Sequence, residues 1–402
     1  MDPHRLRQDF PVFRHHPDLI YLDSTASSLK PQLVIDAERM YYETSGVNVH
    51  RGVYALSQQA TDTYETVREK VRKFINAAST SEIIFVRGAT EGINLVAETW
   101  GRANLKRGDV VLISEMEHHA NIVPWQRLRD ELGVELRWIP VTNDGDLDLT
   151  NIDELLVGVK LLAITQMSNV LGVVNDVAML SKQAHVVGAL VLVDGAQSVP
   201  HLPVDIKAID ADFLVFSGHK MLAPSGVGVL YAKQALLEVM TPYQRGGDMI
   251  REVTKEGASW NEVPWKFEAG TPNIGGVIGL GAAIDYLSSV GMDQIWKHDQ
   301  EIATYGLEKL AALPFVTVLG AKAGSPRGAI FALDIPDVHP HDVGSIMDER
   351  QICVRAGHHC AQPLHRRFGL AGTTRASGYL HTMTADIDRL IEGLVAVHRA
   401  FA

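Results

Sequence analysis

The feature that most constrains the fold is an alternation of short apolar runs with helical segments from about residue 80 onward. The runs are rich in Val, Ile and Leu, and they are IIFV (83–86), VVLIS (110–114), ELRWIP (135–140), KLLAIT (160–165), ALVLVD (189–194), DFLVFS (212–217) and VGVLYA (227–232). Runs that are apolar on both faces predict strands covered on both sides, so we expect an α/β fold with a mostly parallel sheet flanked by helices. Ligands are then expected beyond the carboxyl ends of the strands.

Towards the C-terminus the regular alternation of strands and helices ends, which predicts a second, smaller α+β domain. The segment TPNIGGVIGLGAAIDYLSSVG suits a long helix that leads out of the first domain, and it is followed by the strands VTVLG and AIFALD, a helix near 341–349 and an amphipathic last helix. We expect a large domain over residues 21–285 and a small domain over residues 286–402 together with residues 1–20. A chain of 402 residues is long enough for two such cores.

Composition and charge narrow the classes of partner. The net charge of −11 is spread without basic blocks, which argues against a nucleic-acid groove or an anionic membrane surface. The longest apolar run, 186–193, falls far short of the roughly 20 residues that a membrane helix needs, and no export signal is visible. Two cysteines give no disulfide framework. We therefore expect a cytoplasmic protein with a small-molecule or protein partner.

Two predicted strands end in residues that suit an aldehyde cofactor. Lys220 lies in FSGHKMLAPSG, where small residues let the backbone approach a ligand, and a lysine held there can form a Schiff base. Ser217 and His219 beside it can contact a phosphate. Asp194 ends the run ALVLVD, where a carboxylate can pair with a pyridinium nitrogen, and Gln197 can approach the ring hydroxyl. The alternatives are a surface lysine in a glycine-rich loop and an aspartate that only caps a helix.

Two earlier turns add a phosphate site and an aromatic contact. The turn RGATEGIN opens a helix whose free N–H groups and positive dipole end suit a phosphate, and Thr90 adds a hydroxyl. In EMEHHANIVPW, His118 can stack on an aromatic ring while His119 points away. The paired histidines 118/119 and 358/359 are adjacent in sequence, and no metal-ligand spacing accompanies them, so we expect no metal site.

A polar stretch near the C-terminus supplies a candidate nucleophile. Cys360 lies in VRAGHHCAQP, where nearby imidazoles favour the thiolate, although an inert loop cysteine is the alternative. Cys353, in the apolar run QICV, is interpreted as a core residue. Arg375 in TTRAS is a candidate clamp for a substrate carboxylate, and Asn169 in MSNVLG can bind the cofactor or that same carboxylate. A surface arginine and an ordinary asparagine turn are the alternatives for these two residues.

An ordered set of motifs resembles the cysteine desulfurases of the SufS/CsdA group (group II), which depend on pyridoxal 5′-phosphate (PLP). The resemblance runs from about Tyr21 to the C-terminus, and the motifs are YLDS, NVHRG, RGATEGIN, EHHANIVPW, SNVLG, VDGAQ, FSGHK, FEAGTPN, RAGHHCAQP and RAS. It implies the type I aminotransferase-like fold and a homodimer with active sites at the interface. It also implies that sulfur from L-cysteine forms a persulfide on Cys360, leaves L-alanine, and passes to an acceptor protein for iron–sulfur cluster assembly.

The resemblance also implies a role for individual residues. Lys220 carries the Schiff base and moves the Cα proton, and Cys360 attacks the substrate sulfur. The residues implied to hold PLP are Thr90, His118, Asn169, Asp194, Gln197, Ser217, His219 and Lys220, with Thr271 from the other subunit. The residues implied to bind the substrate are His50, Asn169, Arg355 and Arg375. The chain departs from the family pattern at Ala89, Ala223, Arg245 and Leu380-His381, which bears on phosphate affinity, pocket shape and the subunit interface.

Two other functions stay open at this point. A selenocysteine lyase shares the fold, takes L-selenocysteine and can reside in the same protein. A non-catalytic PLP-binding scaffold for a partner belongs to a different class of function. Epimerases and aminotransferases of the same fold have no stated use for the Cys360 loop.

Overall fold

The computed structural model describes residues 1–320 and 324–401. Its strands in chain order are β1 (Ile20–Tyr21), β2 (Ile83–Val86), β3 (Val110–Ser114), β4 (Glu135–Ile139), β5 (Val159–Thr165), β6 (Leu190–Asp194), β7 (Phe213–Ser217), β8 (Gly228–Ala232), β9 (Ile250–Val253), β10 (Ala258–Trp260), β11 (Thr317–Val318), β12 (Ile330–Asp334), β13 (Ile352–Cys353), β14 (Arg355–Gly357) and β15 (Thr373–Ser377).

The α-helices vary from single turns to rods of 20 residues. They are α1 (Pro3–Arg7), α2 (Val12–His15), α3 (Gln32–Thr44), α4 (Ala55–Phe74), α5 (Ala89–Val96), α6 (Arg102–Asn104), α7 (Val123–Leu132), α8 (Ile152–Leu155), α9 (Val177–Val186), α10 (Ser198–His201), α11 (Ile206–Ile209), α12 (Gln234–Val239), α13 (Ile274–Val290), α14 (Met292–Ala311), α15 (Pro340–Asp348), α16 (Gln362–Arg367) and α17 (Thr384–Phe401). Single 3₁₀ turns at His119–Asn121 and Gly218–Lys220 carry residues of the site described below.

The larger sheet has seven strands in the order β2-β8-β7-β6-β5-β3-β4. Strand β8 pairs antiparallel with β2 and β7, and the other neighbouring pairs are parallel, so β8 alone runs against the rest. Alternate residues of β5 enter two different cores, Leu162 and Ile164 in one and Leu161 and Ala163 in the other, because helices cover both faces. The predicted mostly parallel sheet is confirmed, and each predicted run matches its strand to within one residue at either end.

The backbone comes unusually close to itself where β7 and β8 meet the turn before α5. A Cβ atom at Gly228 would lie 2.5 Å from the Cα of Gly88 and 2.6 Å from the carbonyl oxygen of Phe216, so only glycine is accommodated. This approach brings the hydroxyl of Ser217 to the N-terminus of α5, where it accepts a hydrogen bond of 2.9 Å from the N–H of Ala89. The edge of the sheet and the helix terminus are thereby joined at the site.

A second, antiparallel sheet in the order β11-β12-β15-β14 has a core of its own. Residues of α14, α15 and α17 pack on it, among them Met347 and Leu390. The N-terminal segment contacts both cores: β1 pairs in parallel with β13 and Arg7 forms a 3.0 Å ion pair with Asp386, whereas Phe10 lies in the core of the larger sheet. Cys353 was wrongly interpreted as a core residue: it is partly exposed, since β13 is a two-residue strand paired only with β1.

The apolar segment predicted to be a long helix forms α13. This helix is largely buried, packs against α3 and α4, and runs to Val290, past the expected domain boundary near residue 286. Among the described residues, no single helix has the length and apolar character to cross a membrane. The bent pair α13 and α14, which meet at 74°, satisfies that test by length and composition only.

Candidate active site

A cavity of about 270 Å³ lies beyond the carboxyl ends of β5, β6 and β7, whose last residues line it. This is where a sheet of this topology is expected to bind a ligand. Most of the residues singled out from the sequence meet around it, namely Thr90, His118, Asn169, Asp194, Gln197, Ser217, His219, Lys220, Arg355, Cys360 and Arg375. Segments from distant parts of the chain therefore converge on one space.

Lys220 is carried into the cavity by the 3₁₀ turn that follows β7. Burial lowers the pKa of its amine, and the positive charges of Arg375 and Arg355 lower it further, while the carboxylate of Asp194 opposes them. A lysine with a depressed pKa presents more of the neutral amine, which is the nucleophilic and basic form.

The turn of Lys220 is held through the carbonyl oxygen of His219, a contact that the sequence did not reveal. This oxygen accepts hydrogen bonds from the N–H of Ser28 at 2.9 Å, the hydroxyls of Ser28 and Ser27 at 3.0 and 3.2 Å, and the ammonium of Lys30 at 3.0 Å. Burial lowers the pKa of Lys30 to about 8. The segment after β1 thus fixes the backbone beside the reactive amine, and the serine-rich run ASSLK was the only signal for it.

Asp194 ends β6 with a carboxylate that is 4% exposed. Burial raises its pKa, while the charge of Lys220 and a 2.9 Å hydrogen bond from the N–H of Ala196 oppose the shift. Gln197, in the same turn, donates from its Nε2 to the carbonyl oxygen of Thr25 at 2.9 Å. A buried carboxylate with one protein donor retains capacity for a cationic partner in the cavity.

His118 presents a neutral imidazole to the cavity. Its Nδ1 accepts a hydrogen bond of 3.0 Å from the N–H of Ala120, which places the ring proton on Nε2. Burial lowers its pKa to about 3, with further lowering by Lys220 and His119. His119 does not line the cavity, and its Nε2 accepts from the N–H of Gln362 at 3.1 Å.

Glu117, the residue before His118, was missed by the sequence analysis although it lies in the same turn. It is 0% exposed, and its carboxyl bonds the hydroxyl of Ser114 at 2.5 Å, the amide of Asn121 at 2.7 Å and the N–H of Thr165 at 3.0 Å. Burial raises its pKa to about 8, and the nearby charge of Asp194 adds to the shift. Glu117 therefore ties the turn that carries His118 to the end of β5.

Two arginines reach the cavity from neighbouring strands of the smaller sheet. Arg375 is 2% exposed, burial lowers its pKa to about 10, and its Nη1 donates to the carbonyl oxygen of Asn169 at 3.0 Å. The amide of Asn169 donates in turn to the carbonyl oxygen of His359 at 2.8 Å. Asp23, which sequence reasoning also missed within the motif YLDS, forms ion pairs with both Arg375 and Arg355.

Cys360 lies in a loop whose backbone is held in the left-handed region. The φ angles are 119° at Gly357, 50° at His359 and 56° at Cys360, and two successive non-glycine residues seldom adopt such values. The N–H of Cys360 donates to Nδ1 of His358 at 3.2 Å, and its carbonyl oxygen accepts from the N–H of His119 at 2.7 Å. The loop is thus fixed while Cys360 both lines the cavity and remains exposed.

His50 and Thr271 do not line this cavity in the single chain. Nε2 of His50 lies 3.0 Å from Oε1 of Glu65, and Thr271 lines a different cavity of about 440 Å³ that it shares with Glu268. Their two segments touch where the amide of Asn48 donates to the hydroxyl of Thr271 at 3.5 Å. One chain therefore does not bring these two predicted residues to the others.

The departures from the family pattern fall partly at the site and partly elsewhere. Ala89 lines the cavity, and its N–H already donates to the hydroxyl of Ser217. The backbone of Ala89 therefore makes a polar contact at the site although its side chain has no hydroxyl. Arg245 is exposed and its guanidinium lies 5.2 Å from the ring centre of Trp260. The remaining departures are buried, and they are Ala223, Leu380 and His381.

Unpartnered polar atoms show that the cavity is suited to a polar ligand. Among the described residues, buried atoms without a hydrogen-bond partner include Thr25 Oγ1, His359 Nδ1 and Arg375 Nε, and all three residues line the cavity. Buried polar groups nearly always form a hydrogen bond, so we expect a bound ligand to supply partners for these three atoms. The amine of Lys220 and the buried carboxylate of Asp194 fit the aldehyde and the ring nitrogen of PLP, while the free Nε of Arg375 suits an anionic group. No group of three His, Cys, Asp or Glu side chains able to hold a metal ion occurs in the described part of the chain.

Comparisons with known proteins agree on one family and one activity. The family model described as aminotransferase class-V matches residues 20–390. A protein named probable cysteine desulfurase from Halalkalibacterium halodurans is 48% identical over 98% of this chain and 97% of its own, and a cysteine desulfurase from Escherichia coli is 49% identical over 98% of each. The crystal structure of the Escherichia coli cysteine desulfurase CsdA superposes with a TM-score of 0.92 at 38% identity, covering 100% of this chain and 99% of that one. An apo cysteine desulfurase from Thermococcus onnurineus gives 0.95 at 38% identity with the same coverage. The expected type I aminotransferase-like fold is confirmed by these likenesses.

Proposed function

Because the chain belongs to the aminotransferase class-V family, and within it to the SufS/CsdA-like cysteine desulfurases, we propose that Lys220 and Cys360 act together on L-cysteine in the 270 Å³ cavity. The enzyme is a PLP-dependent cysteine desulfurase. The observation that carries the assignment of residues is that this amine and this thiol line one cavity, although they come from regions of the fold that are built on two different sheets.

The cofactor supplies an aldehyde that reacts with amines and a pyridinium ring that withdraws electrons from the substrate Cα. Asp194 would keep the ring nitrogen protonated, and His118 would lie on the ring face. Gln197 would approach the ring hydroxyl, with its own amide anchored on Thr25. The phosphate would lie at the N-terminus of α5, where Thr90, Ser217 and His219 line the cavity.

The residues that would orient the substrate are already hydrogen-bonded to each other. Arg375 would bind the carboxylate of L-cysteine, because its Nε has no protein partner and its Nη1 is fixed on Asn169. A guanidinium binds a carboxylate through two parallel hydrogen bonds, so this contact sets the direction of the side chain as well as the affinity. Burial of Arg375 excludes water from that contact.

The reaction then requires one sulfur transfer and several proton transfers: the Cα proton is removed, a proton is added at Cβ, and the Cα proton is restored. Lys220 would take the Cα proton, since its depressed pKa makes the neutral amine available. The thiolate of Cys360 would attack the substrate sulfur, forming an S–S bond as the Cβ–S bond breaks, and a proton replaces sulfur on carbon. L-Cysteine and the thiol become L-alanine and a persulfide, so atoms and electrons balance without an added oxidant.

The test is product formation from L-cysteine with a thiol reductant. We expect equal amounts of L-alanine and sulfide from the parent enzyme, with both lost in Lys220→Ala and in Cys360→Ala. Cys353→Ala is the matched control and should behave like the parent, because Cys353 does not line the cavity. Bound PLP without either product in the parent enzyme would instead support the scaffold function.

The site is further proposed to be completed by a second copy of the chain. His50 and Thr271 lie away from the cavity of their own chain, and exposed apolar side chains occur on either side of His50 in the sequence, with Tyr42 61%, Val53 103% and Tyr54 50% exposed. A patch of such side chains is expected to be covered. In a twofold dimer each chain would give its His50 and Thr271 to the cavity of its partner.

Mixed dimers test this arrangement directly. Thr271→Asp places a carboxylate beside the phosphate and should abolish PLP retention, with Thr271→Ser as the matched control, and Lys220→Ala is inactive for another reason. If Thr271 acts on the partner's cavity, mixing the two inactive variants restores activity in one of the two sites of each hybrid dimer. If it acts on its own cavity, mixing restores nothing.

Three broader features complete the proposal. The domains are residues 21–285 and residues 286–402 with residues 1–20, supported by the separate core of the smaller sheet. Exposure of Cys360 would let an acceptor protein take the persulfide sulfur by thiol exchange, with iron–sulfur cluster assembly as its destination. The cytoplasm is the proposed compartment, because a reducing environment maintains a free thiol in the Cys360 position.

A further inference from the structure

Thr25 lines the active-site cavity with a hydroxyl that the proposed reaction does not use. The residue is 3% exposed, and its Oγ1 has no hydrogen-bond partner in the described part of the chain. A buried hydroxyl without a partner has lost its hydrogen bonds to water, which costs free energy. We therefore expect this hydroxyl to bond to a ligand in the cavity.

The backbone of Thr25 is fixed between two parts of the site. Its carbonyl oxygen accepts a hydrogen bond of 2.9 Å from Nε2 of Gln197, and its N–H donates to Oγ of Ser377 at 3.1 Å. Ser377 ends β15 two residues after Arg375, and it also forms a parallel bridge with Asp23. Thr25 thus lies between the residue proposed for the ring hydroxyl and the strand that carries the proposed carboxylate clamp.

Arg375 alone does not satisfy a bound carboxylate. Its Nη1 donates to the carbonyl oxygen of Asn169 at 3.0 Å and its Nη2 to Oδ1 of Asp23 at 3.2 Å, while its Nε has no partner. The two oxygens of a carboxylate offer about four lone-pair sites, so a further donor can bind beside one guanidinium. A threonine hydroxyl is such a donor, and its bond to a charged acceptor is stronger than a bond to a neutral one.

The chemistry of the cofactor favours the same position. In PLP the aldehyde and the ring hydroxyl are on neighbouring ring atoms, so an amino acid that reacts with the aldehyde comes close to the groups around that hydroxyl. We propose that the hydroxyl of Thr25 binds the α-carboxylate of the amino-acid substrate together with Arg375. Thr25 is then a further substrate-binding residue. This inference rests on the proposed function, since it concerns the cavity in which L-cysteine is expected to bind.

Two amines that differ only in the carboxylate isolate this contact. L-Alanine, and ethylamine, which lacks the carboxylate, are titrated separately into the holoenzyme, and each Kd is read from the change in PLP absorbance. The ratio of the Kd for ethylamine to that for L-alanine measures what the carboxylate adds to binding. We expect this ratio to fall about tenfold in Thr25→Val, equivalent to about 1.4 kcal/mol. Thr25→Ser keeps the hydroxyl and should stay within about threefold of the parent.

Thr165→Val is the matched control within the same cavity. Thr165 is 6% exposed, and its hydroxyl already donates to the carbonyl oxygen of Met167 at 3.0 Å. Loss of this hydroxyl should lower the Tm, because a hydrogen bond within the protein is lost, and should leave the ratio unchanged. In Thr25→Val the opposite is expected: the ratio falls, while the Tm measured without amino acid stays at or above that of the parent.

Three results would overturn the inference. A ratio in Thr25→Val within about twofold of the parent would do so, and an equal rise of both Kd values would show that the hydroxyl contacts the cofactor instead. A fall in Thr25→Ser as large as that in Thr25→Val would show that the hydroxyl is not the responsible group. A clearly lower Tm of Thr25→Val without amino acid would show a bond within the protein.

A second variant keeps the test decisive if the valine variant does not retain PLP. Thr25→Ala removes the hydroxyl and leaves no methyl group in its place, and we expect the same fall of the ratio. Neither titration requires turnover of L-cysteine. Failure of the desulfurase assignment, seen as no sulfide from the parent enzyme, is therefore distinguishable from failure of this inference.

Discussion

Replacing the buried Glu117 by glutamine tests whether an uncharged carboxyl supports the active-site turn. The side chain is 0% exposed, and burial raises its pKa from 4.5 to about 8, so at pH 7 the folded protein holds this group as a neutral acid. Between those two values the folded state binds one more proton than the unfolded state. The contribution of Glu117 to the free energy of unfolding is therefore fully present below pH 4.5 and is lost as the pH rises through 8.

The size of this stability loss follows from the pH range between the unfolded and folded pKa values of Glu117. Within this range each pH unit lowers the free energy of unfolding by about 1.36 kcal/mol, so the rise from about pH 5 to about pH 8 lowers that of the parent protein by up to about 4 kcal/mol. The glutamine side chain of the variant would not titrate. Its amide would, however, face the amide of Asn121, whose Oδ1 is already bonded to Trp125, and one unmade hydrogen bond costs about 1–3 kcal/mol at every pH.

Urea unfolding of both proteins at about pH 5, 6.5 and 8 measures the difference. We expect Glu117→Gln to be the less stable protein at the lowest pH and the gap to close or reverse at the highest, while titrations common to both proteins cancel. A gap that stays constant within about 0.5 kcal/mol over this range would refute the reasoning, because Glu117 would then titrate alike in the folded and unfolded states.

Three further substitutions probe packing, charge and chemistry. Gly228→Ala should lower the free energy of unfolding by about 1–3 kcal/mol and weaken PLP retention on dialysis, because the added Cβ would clash with backbone atoms. Gly246→Ala is the control: its added Cβ would lie in open space, so the Tm and PLP content should match those of the parent. Glu268→Gln should cost about 1–3 kcal/mol in urea unfolding, since Arg68 is 1% exposed and loses the negative charge of its 2.6 Å partner while it keeps Glu65; parent-like unfolding would contradict this. Cys360→Ala should lose sulfide release from L-cysteine but largely keep cleavage of L-selenocysteine, and equal loss of both activities would count against a sulfur-specific role of the thiol.

Local sequence patterns predicted the large sheet well because its strands are apolar on both faces. A run such as KLLAIT is buried whichever helices cover it, so its strand could be placed before its neighbours were known. The same reasoning applies to the residues that follow those strands. Lys220 and Asp194 come directly after β7 and at the end of β6, and the carboxyl ends of parallel strands share one edge.

The remaining parts of the site depend on contacts between distant segments. Asp23 becomes significant only when β1 pairs with β13 and brings it to two arginines more than 300 positions away. The donors on the carbonyl oxygen of His219 come from residues 27–30, and no local periodicity relates these two segments. Glu117 resembles an ordinary helix-flanking acid until its burial is known. The proposed roles of His50 and Thr271 involve a second chain.

The most direct test of the central claim is the mass of the peptide that contains Cys360 after the purified enzyme has received L-cysteine without reductant. We expect an increment of about 32 Da, one sulfur atom, on Cys360, lost on treatment with a thiol and not formed in Lys220→Ala. L-Alanine formed in step with an increment on Cys353 alone, or with none on Cys360, would contradict it.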